Sequence, residues 1–181
     1  MKIKSLTIYC SSSEKLHNDY YVLAENIGLF LASKSVKIIF GGGKTGLMGK
    51  VSKSAFLSGA EVIGIIPGFL STKEKINNQT TKTIIVNDMT ERKRKLYEYA
   101  DTFLILPGGS GTFEEATEII SWKFLGLHDK NIIIFNFRGY WDNFIKLYDE
   151  AKEKKFGNKN LQSICHNVTT LDQFINLFKD A

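Results

Sequence analysis

Apolar and polar positions along this chain follow two alternating periods. Short apolar runs with strand character fall at 4–9, 37–40, 61–66, 83–86, 102–106 and 132–135, with a weaker one at 163–168. Helical periodicity fills the intervals at about 19–33, 46–58, 90–100, 112–126, 141–154 and 170–179. In the first of these, Tyr20, Leu23, Ala24, Ile27 and Leu31 keep the i, i+3, i+4, i+7 spacing of a one-sided apolar stripe. Strands alternating with helices predict an α/β fold: a doubly wound, Rossmann-like parallel sheet in three layers, α/β/α. Residues 1–181 read as a single domain, with no internal repeat, low-complexity tract or linker. The loop 67–82 is the longest irregular segment and reads either as a mobile lid or as a solvated crossover.

Four predicted strands end in small or turn-forming residues: Ser11-Ser-Ser13, Gly41-Gly-Gly43, Pro67-Gly68 and Pro107-Gly-Gly109. In open parallel sheets ligands bind outside the carboxyl ends of the strands, so this pattern predicts a ligand crevice. Residues 102–115 are the richest case. An apolar strand stops at Pro107, Gly108, Gly109 and Gly111 make a tight turn, and an acidic helix start follows. Thr112 reads as the helix N-cap, with Glu115 three residues on completing a capping box. A helix N-terminus directs unpaired amides at whatever sits there, which makes this turn a candidate anion site. Glu114, Glu115 and Glu118 add carboxylates beside it.

The segment Gly41–Gly49 is a second glycine-rich turn. It is not a P-loop, because Ile38 stands where that motif needs its first glycine. Gly41, Gly43 and Gly46 satisfy G-x-G-x-x-G, but Glu61 begins the next strand instead of ending it. The ribose-binding acid of a dinucleotide fold is therefore misplaced, which counts against a nicotinamide-dependent oxidoreductase. In the helix after Met89, a buried stripe of Met89, Leu96 and Ala100 would turn Arg92 and Lys93 towards the crevice and Arg94 and Lys95 outwards. Cations near a helix N-terminus oppose its dipole, and a bound anion would offset that. His17, His128 and His166 have no partners at metal or triad spacing, and Trp122, Phe124 and Leu125 read as core or a subunit contact.

Composition narrows the function classes. The 181 residues are 43% hydrophobic and 24% charged, ordinary values for a soluble globular protein. A net charge of +5 lies largely in two patches, Arg92–Lys95 and Lys152–Lys159, without the broad basic face of a nucleic-acid binder. No apolar stretch is long enough to span a membrane, and the N-terminus reads as a first strand, not a signal peptide. Two cysteines, Cys10 and Cys165, make neither a disulfide framework nor a zinc site. The acceptor patterns at Asn78 and Asn167 lack a secretion signal, and the expected location is the cytoplasm.

Together these residues resemble the Lonely Guy (LOG) family of nucleotide phosphoribohydrolases. The family's P-G-G-x-G-T-x-x-E stands here as Pro107–Glu115, its G-G-G-x-x-G-L-M-G as Gly41–Gly49, its Arg-Lys pair as Arg92-Lys93, and its W-x-x-L-G-L-H-D-K as Trp122–Lys130. Departures are Ser11 in the family's C-G-S-S turn, Thr90 for a usual His, Phe124 for a usual Gln and Asn131 for a common Pro. The resemblance implies hydrolysis of the N-glycosidic bond of a purine nucleoside 5′-monophosphate. It implies Glu115 and Arg92 as the catalytic pair, and Glu74, Lys93, Gly108, Gly109, Ser110, Gly111, Thr112 and Ser121 as substrate-binding residues. It further implies a homodimer and no metal or redox cofactor. Some relatives carry a lysine-decarboxylase label, but no lysine here sits in a context that suggests a pyridoxal phosphate site. The rival reading is a non-catalytic carrier of a nucleotide or phosphorylated cofactor on the same turn.

Overall fold

The protein, seen in a computed structural model, is described over residues 1–71, 77–157 and 160–178. Seven strands make one sheet: β1 (Ser5–Tyr9), β2 (Lys37–Phe40), β3 (Val62–Pro67), β4 (Lys82–Val86), β5 (Thr102–Ile105), β6 (Asn131–Phe135) and β7 (His166–Val168). Their order is β4-β3-β2-β1-β5-β6-β7 and every pairing is parallel. The helices are α1 (Asn18–Ser33), α2 (Gly46–Leu57), α3 (Gly68–Ser71), α4 (Met89–Glu98), α5 (Ser110–Phe124), α6 (Asp142–Glu153) and α7 (Leu171–Asn176).

Strand side chains alternate between faces, and here both faces are covered, so each strand feeds two cores. Leu6 and Ile8 of β1, Ile38 and Phe40 of β2 and Leu104 of β5 pack with Leu23, Ile27 and Leu31 of α1, Val51 and Ala55 of α2, and Phe174 of α7. Tyr9, Ile39, Phe103 and Ile105 face the other way, onto Leu96 of α4 and Ala116, Ile119 and Ile120 of α5. This is the three-layer, doubly wound arrangement that the alternation predicts. No described helix is long and apolar enough to cross a membrane.

The chain leaves β1 for β2 on one side, and later places β5 on the other. The order therefore reverses at β1 and β5, and the crevice lies outside their carboxyl ends. Ser11 and Pro107 close it below, through the Ser11 amide donating to the Pro107 carbonyl at 3.1 Å.

Two segments away from the crevice differ in kind from the sequence reading. The 67–82 segment is not wholly irregular: α3 occupies its start, and its later part is tied down. Asn77 is buried, its amide donates to the Gly42 carbonyl at 3.0 Å, and its side chain donates to Ser52 Oγ at 2.8 Å. The weak 163–168 run is a strand only over His166–Val168, because Leu161–Ser163 coil into a short 3₁₀ turn.

Candidate active site

The crevice holds a pocket of about 370 Å³ lined by Cys10, Ser11, Ser12, Ser13, Met48, Arg92, Gly109, Ser110, Gly111, Thr112 and Glu115. Four local structures converge on it: the turn after β1, the start of α2 with Met48, the start of α4, and the glycine turn that opens α5.

The glycine turn corrects one expectation. Thr112 is not the N-cap of α5, and Glu115 does not complete a capping box. The cap is Gly109 in extended backbone, the helix begins at Ser110, and no side chain among the described residues caps it. Thr112 is 4% exposed and folds its side chain onto Gly108, where an added Cβ would lie only 2.1 Å from Thr112 Oγ1. Only glycine allows that close approach. Across the turn the Tyr140 hydroxyl donates to the Gly108 carbonyl. Since α5 has no acid in its first turn and no capping side chain among the described residues, its leading amides keep their donor capacity for an anion. Glu115 sits in the second turn, and capping does not explain it.

The cap the sequence suggested for α5 is found instead on α4. Asp88 accepts from the Glu91 amide at 2.8 Å, and Glu91 reaches back to accept from the Asn87 amide at 2.9 Å. These bonds fix the entry of α4 and so the root of Arg92. Met89 does not join the buried stripe: it is 37% exposed, and its sulfur lies 3.7 Å from Arg92 Nη1. Leu96 and Ala100 are buried as expected.

Arg92 reaches over Gly41 to the pocket. Its Nη2 stands 3.9 Å from Glu115 Oε1, and both side chains are 12% exposed. That is an ion pair rather than a hydrogen bond. Arg92 Nε is buried with no hydrogen-bond partner among the described residues. The guanidinium therefore keeps donor capacity.

Burial pushes the Glu115 carboxyl up to about 7. The Arg92 charge opposes that rise, Glu114 and Glu118 add to it, and Lys93 opposes it again. A carboxyl that titrates near neutrality in a cleft has the property expected of an acid–base group. The Cys10 thiol beside it is held well above its usual range by burial and by the Glu115 charge, so it stays protonated and a poor nucleophile.

Of the residues implied by resemblance, Arg92, Glu115, Gly109, Ser110, Gly111 and Thr112 share this pocket. Gly108 lies under the turn and lines a neighbouring apolar pocket with Leu16, Tyr20 and Tyr140. Lys93 is not at the pocket wall: its ammonium bridges Glu114 and Glu118. Ser121 is exposed further along α5 and is not brought to the pocket. Glu74 lies outside the described residues. The pocket also recruits Cys10–Ser13 and Met48. The serine turn at a strand end and the Leu-Met of the second glycine motif were their signals in the sequence.

A family model described as "Possible lysine decarboxylase" matches residues 48–178. The chain is 33% identical over 179 residues to the cytokinin riboside 5′-monophosphate phosphoribohydrolase LOG1 of Arabidopsis thaliana, covering 99% of this chain and 84% of that one. It is 34% identical over 174 residues to LOG3 of the same plant, covering 96% and 81%. Among solved structures, the molybdenum cofactor carrier protein of Chlamydomonas reinhardtii superposes with a TM-score of 0.72 at 16% identity, over 99% of this chain and 98% of that one. That likeness is one of fold.

Proposed function

The chain belongs to the LOG phosphoribohydrolase family, and on that premise we propose that it hydrolyses the N-glycosidic bond of a purine nucleoside 5′-monophosphate. The substrate is a cytokinin riboside monophosphate or AMP, and water is consumed to give free base and ribose 5-phosphate. The observation that carries the reading is the Arg92–Glu115 pair facing one pocket with the uncapped start of α5.

Breaking this bond develops oxocarbenium character on the ribose, as in glycoside hydrolysis. In the proposed mechanism the Glu115 carboxylate stabilises that cation and helps position the attacking water. Arg92 orients the substrate. The amides of Gly109–Thr112, with the positive end of α5 behind them, hold the 5′-phosphate on its seat next to Gly108. A pocket of about 370 Å³ falls in the size range of small-ligand sites. A decarboxylase name on the family model assigns no chemistry to these residues.

The phosphate seat makes the 5′-phosphate a requirement. Charge-assisted hydrogen bonds contribute roughly 1.5–3 kcal/mol each, so adenosine should be cleaved at least ~100-fold less efficiently than AMP. Steady-state kcat/KM for the two substrates tests this. Equal efficiencies would remove the phosphate seat from the account.

The working form of Glu115 is the carboxylate, so activity rises with pH through its midpoint near 7 and levels off above it. The substrate phosphate, with a second pKa of about 6, adds a further fall at lower pH. A pH profile of kcat/KM checks this, and activity that rises as pH drops below 7 would assign Glu115 the opposite role.

The molybdenum cofactor carrier shares the fold, which keeps a binding-only protein as the rival. Tight nucleotide binding without turnover is its signature. We further propose that residues 1–181 act as one domain, in the cytoplasm, and pair as a homodimer. The exposed Leu125 and Leu127 at the end of α5 support that pairing.

A further inference from the structure

We propose that Lys93 is a positioning residue, which holds Glu114 and Glu118 so that Glu115 meets Arg92 in a balanced charge environment, and which does not itself touch the substrate. The inference rests on the hydrolase reading for its catalytic meaning.

Lys93 Nζ lies 2.5 Å from Glu114 Oε1 and 2.9 Å from Glu118 Oε1. Its side chain is 21% exposed and that of Glu118 24%, whereas Glu114 is 54% exposed, so the arm to Glu118 is the better shielded from screening by solvent. The chain order makes the arrangement specific. Lys93 follows Arg92, Glu114 precedes Glu115, and Glu118 stands three residues on, about one helical turn. Each member of the proposed catalytic pair thus has a neighbour in the clamp. α4 is seated on β3 and β4, whereas α5 is seated on β1. The lysine bridge ties the two helices at the end that faces the crevice, and the edge-to-face contact of Tyr97 with Trp122 ties them further along.

The same clamp sets the charge around Glu115. Facing that carboxyl are Tyr9 and Cys10 from β1 and the turn after it, Arg92 and Lys93 from α4, and Glu114 and Glu118 from its own helix. Glu114 and Glu118 disfavour a charge on Glu115, and the lysine between them opposes that. The two carboxylates in turn hold the Lys93 ammonium above its usual range, first through the bond to Glu114 and then through that to Glu118. It is therefore charged whenever the enzyme works.

The test is a carbon-13 NMR titration of the glutamate carboxyls in the full-length protein, with Glu115 assigned by its loss in E115Q. In Lys93→Met the Glu115 midpoint should rise, by at most about one pH unit, and kcat for AMP should fall while KM changes less than ~3-fold. Lys93→Arg should restore both. In the triple variant K93M/E114Q/E118Q the midpoint should fall to that of the wild type or below it, because the two lost carboxylates raised it by more than the lost lysine lowered it, and this variant also serves if Lys93→Met alone does not fold. An unmoved midpoint, with KM for AMP raised tenfold or more, would make Lys93 a substrate contact and overturn the proposal. So would an unmoved midpoint with only a loss of folded protein. The titration needs no turnover, so it still decides the role of the clamp if AMP proves not to be hydrolysed.

Discussion

Replacing Glu115 with Gln lowers turnover of AMP by about 10²–10⁴-fold, the usual worth of a positioned acid–base group, while the folded protein still binds nucleotide. Glutamine keeps the shape and one hydrogen-bonding oxygen but removes the charge that would stabilise a ribosyl cation. Capping cannot complicate the result, since Glu115 lies beyond the first turn of α5. Stability should move the other way. The folded-state pKa of Glu115 is raised from 4.5 to about 7, so between those values the folded protein binds more protons than the unfolded chain. Stability from this group is then lost as pH rises through that window, and above it Glu115 is a net burden. Gln removes the burden, partly offset by leaving Arg92 without its counter-charge. E115Q should therefore equal or exceed the wild type at pH 8, by on the order of 1–3 kcal/mol, and lose that advantage by pH 5. Urea unfolding at both pH values measures it. A variant that is less stable at pH 8 and retains full activity would make Glu115 a structural residue.

Gly41→Ala should cost about 10² in kcat, with stability changed by less than roughly 1 kcal/mol. A Cβ at Gly41 would stand 2.2 Å from Arg92 Nη2 and 3.3 Å from its Cζ. The obstructed atoms are the far ends of two flexible side chains, Arg92 and, at 3.3 Å, the Met48 sulfur, and the closest is the guanidinium, so the fold accommodates the methyl group chiefly by displacing it. Moving a positioned catalytic group by about 1 Å is worth roughly 10²-fold in rate. Gly41 has no positive φ, so alanine adds no backbone strain. Steady-state kinetics with AMP beside a thermal unfolding curve separate the two effects. Unchanged kcat would mean that the seat of Arg92 over Gly41 is irrelevant to the reaction.

How far the sequence foretold this arrangement follows from what each feature depends on. The strands were legible because a sheet covered on both faces needs unbroken apolar runs, and Lys37–Phe40, Val62–Pro67 and Thr102–Ile105 supply them between turn residues. The helix α3 was not, since four residues are too few to show a period. The cap of α5 was misread for a physical reason. Thr112 carries a side-chain oxygen that can cap a helix, but tertiary packing uses that side chain against Gly108, and Gly109, which is about as acceptable at a cap, takes the position. Met89 likewise has a core-like side chain and a helix-stripe position, yet it lies outside the core beside Arg92.

Within the site, Arg92 and Glu115 were named from motifs, but their meeting depends on which strands are neighbours. The order that sets β1 between β2 and β5 brings α4 and α5 to one rim. For the same reason the bridge from Lys93 to Glu114 and Glu118 could not be read from the chain, where 21 residues separate its first pair. The raised pKa of Glu115 is a further product of burial in that rim.

A single-turnover experiment separates hydrolysis from binding alone. Enzyme in excess is mixed with AMP or with N6-isopentenyl-AMP at pH 8, and base and sugar are quantified over time. Free base and ribose 5-phosphate should form in equal amounts, to completion with the wild type and about 10²-fold or more slowly with E115Q. Nucleotide recovered intact from a stable complex, with neither product formed, would contradict the hydrolase reading.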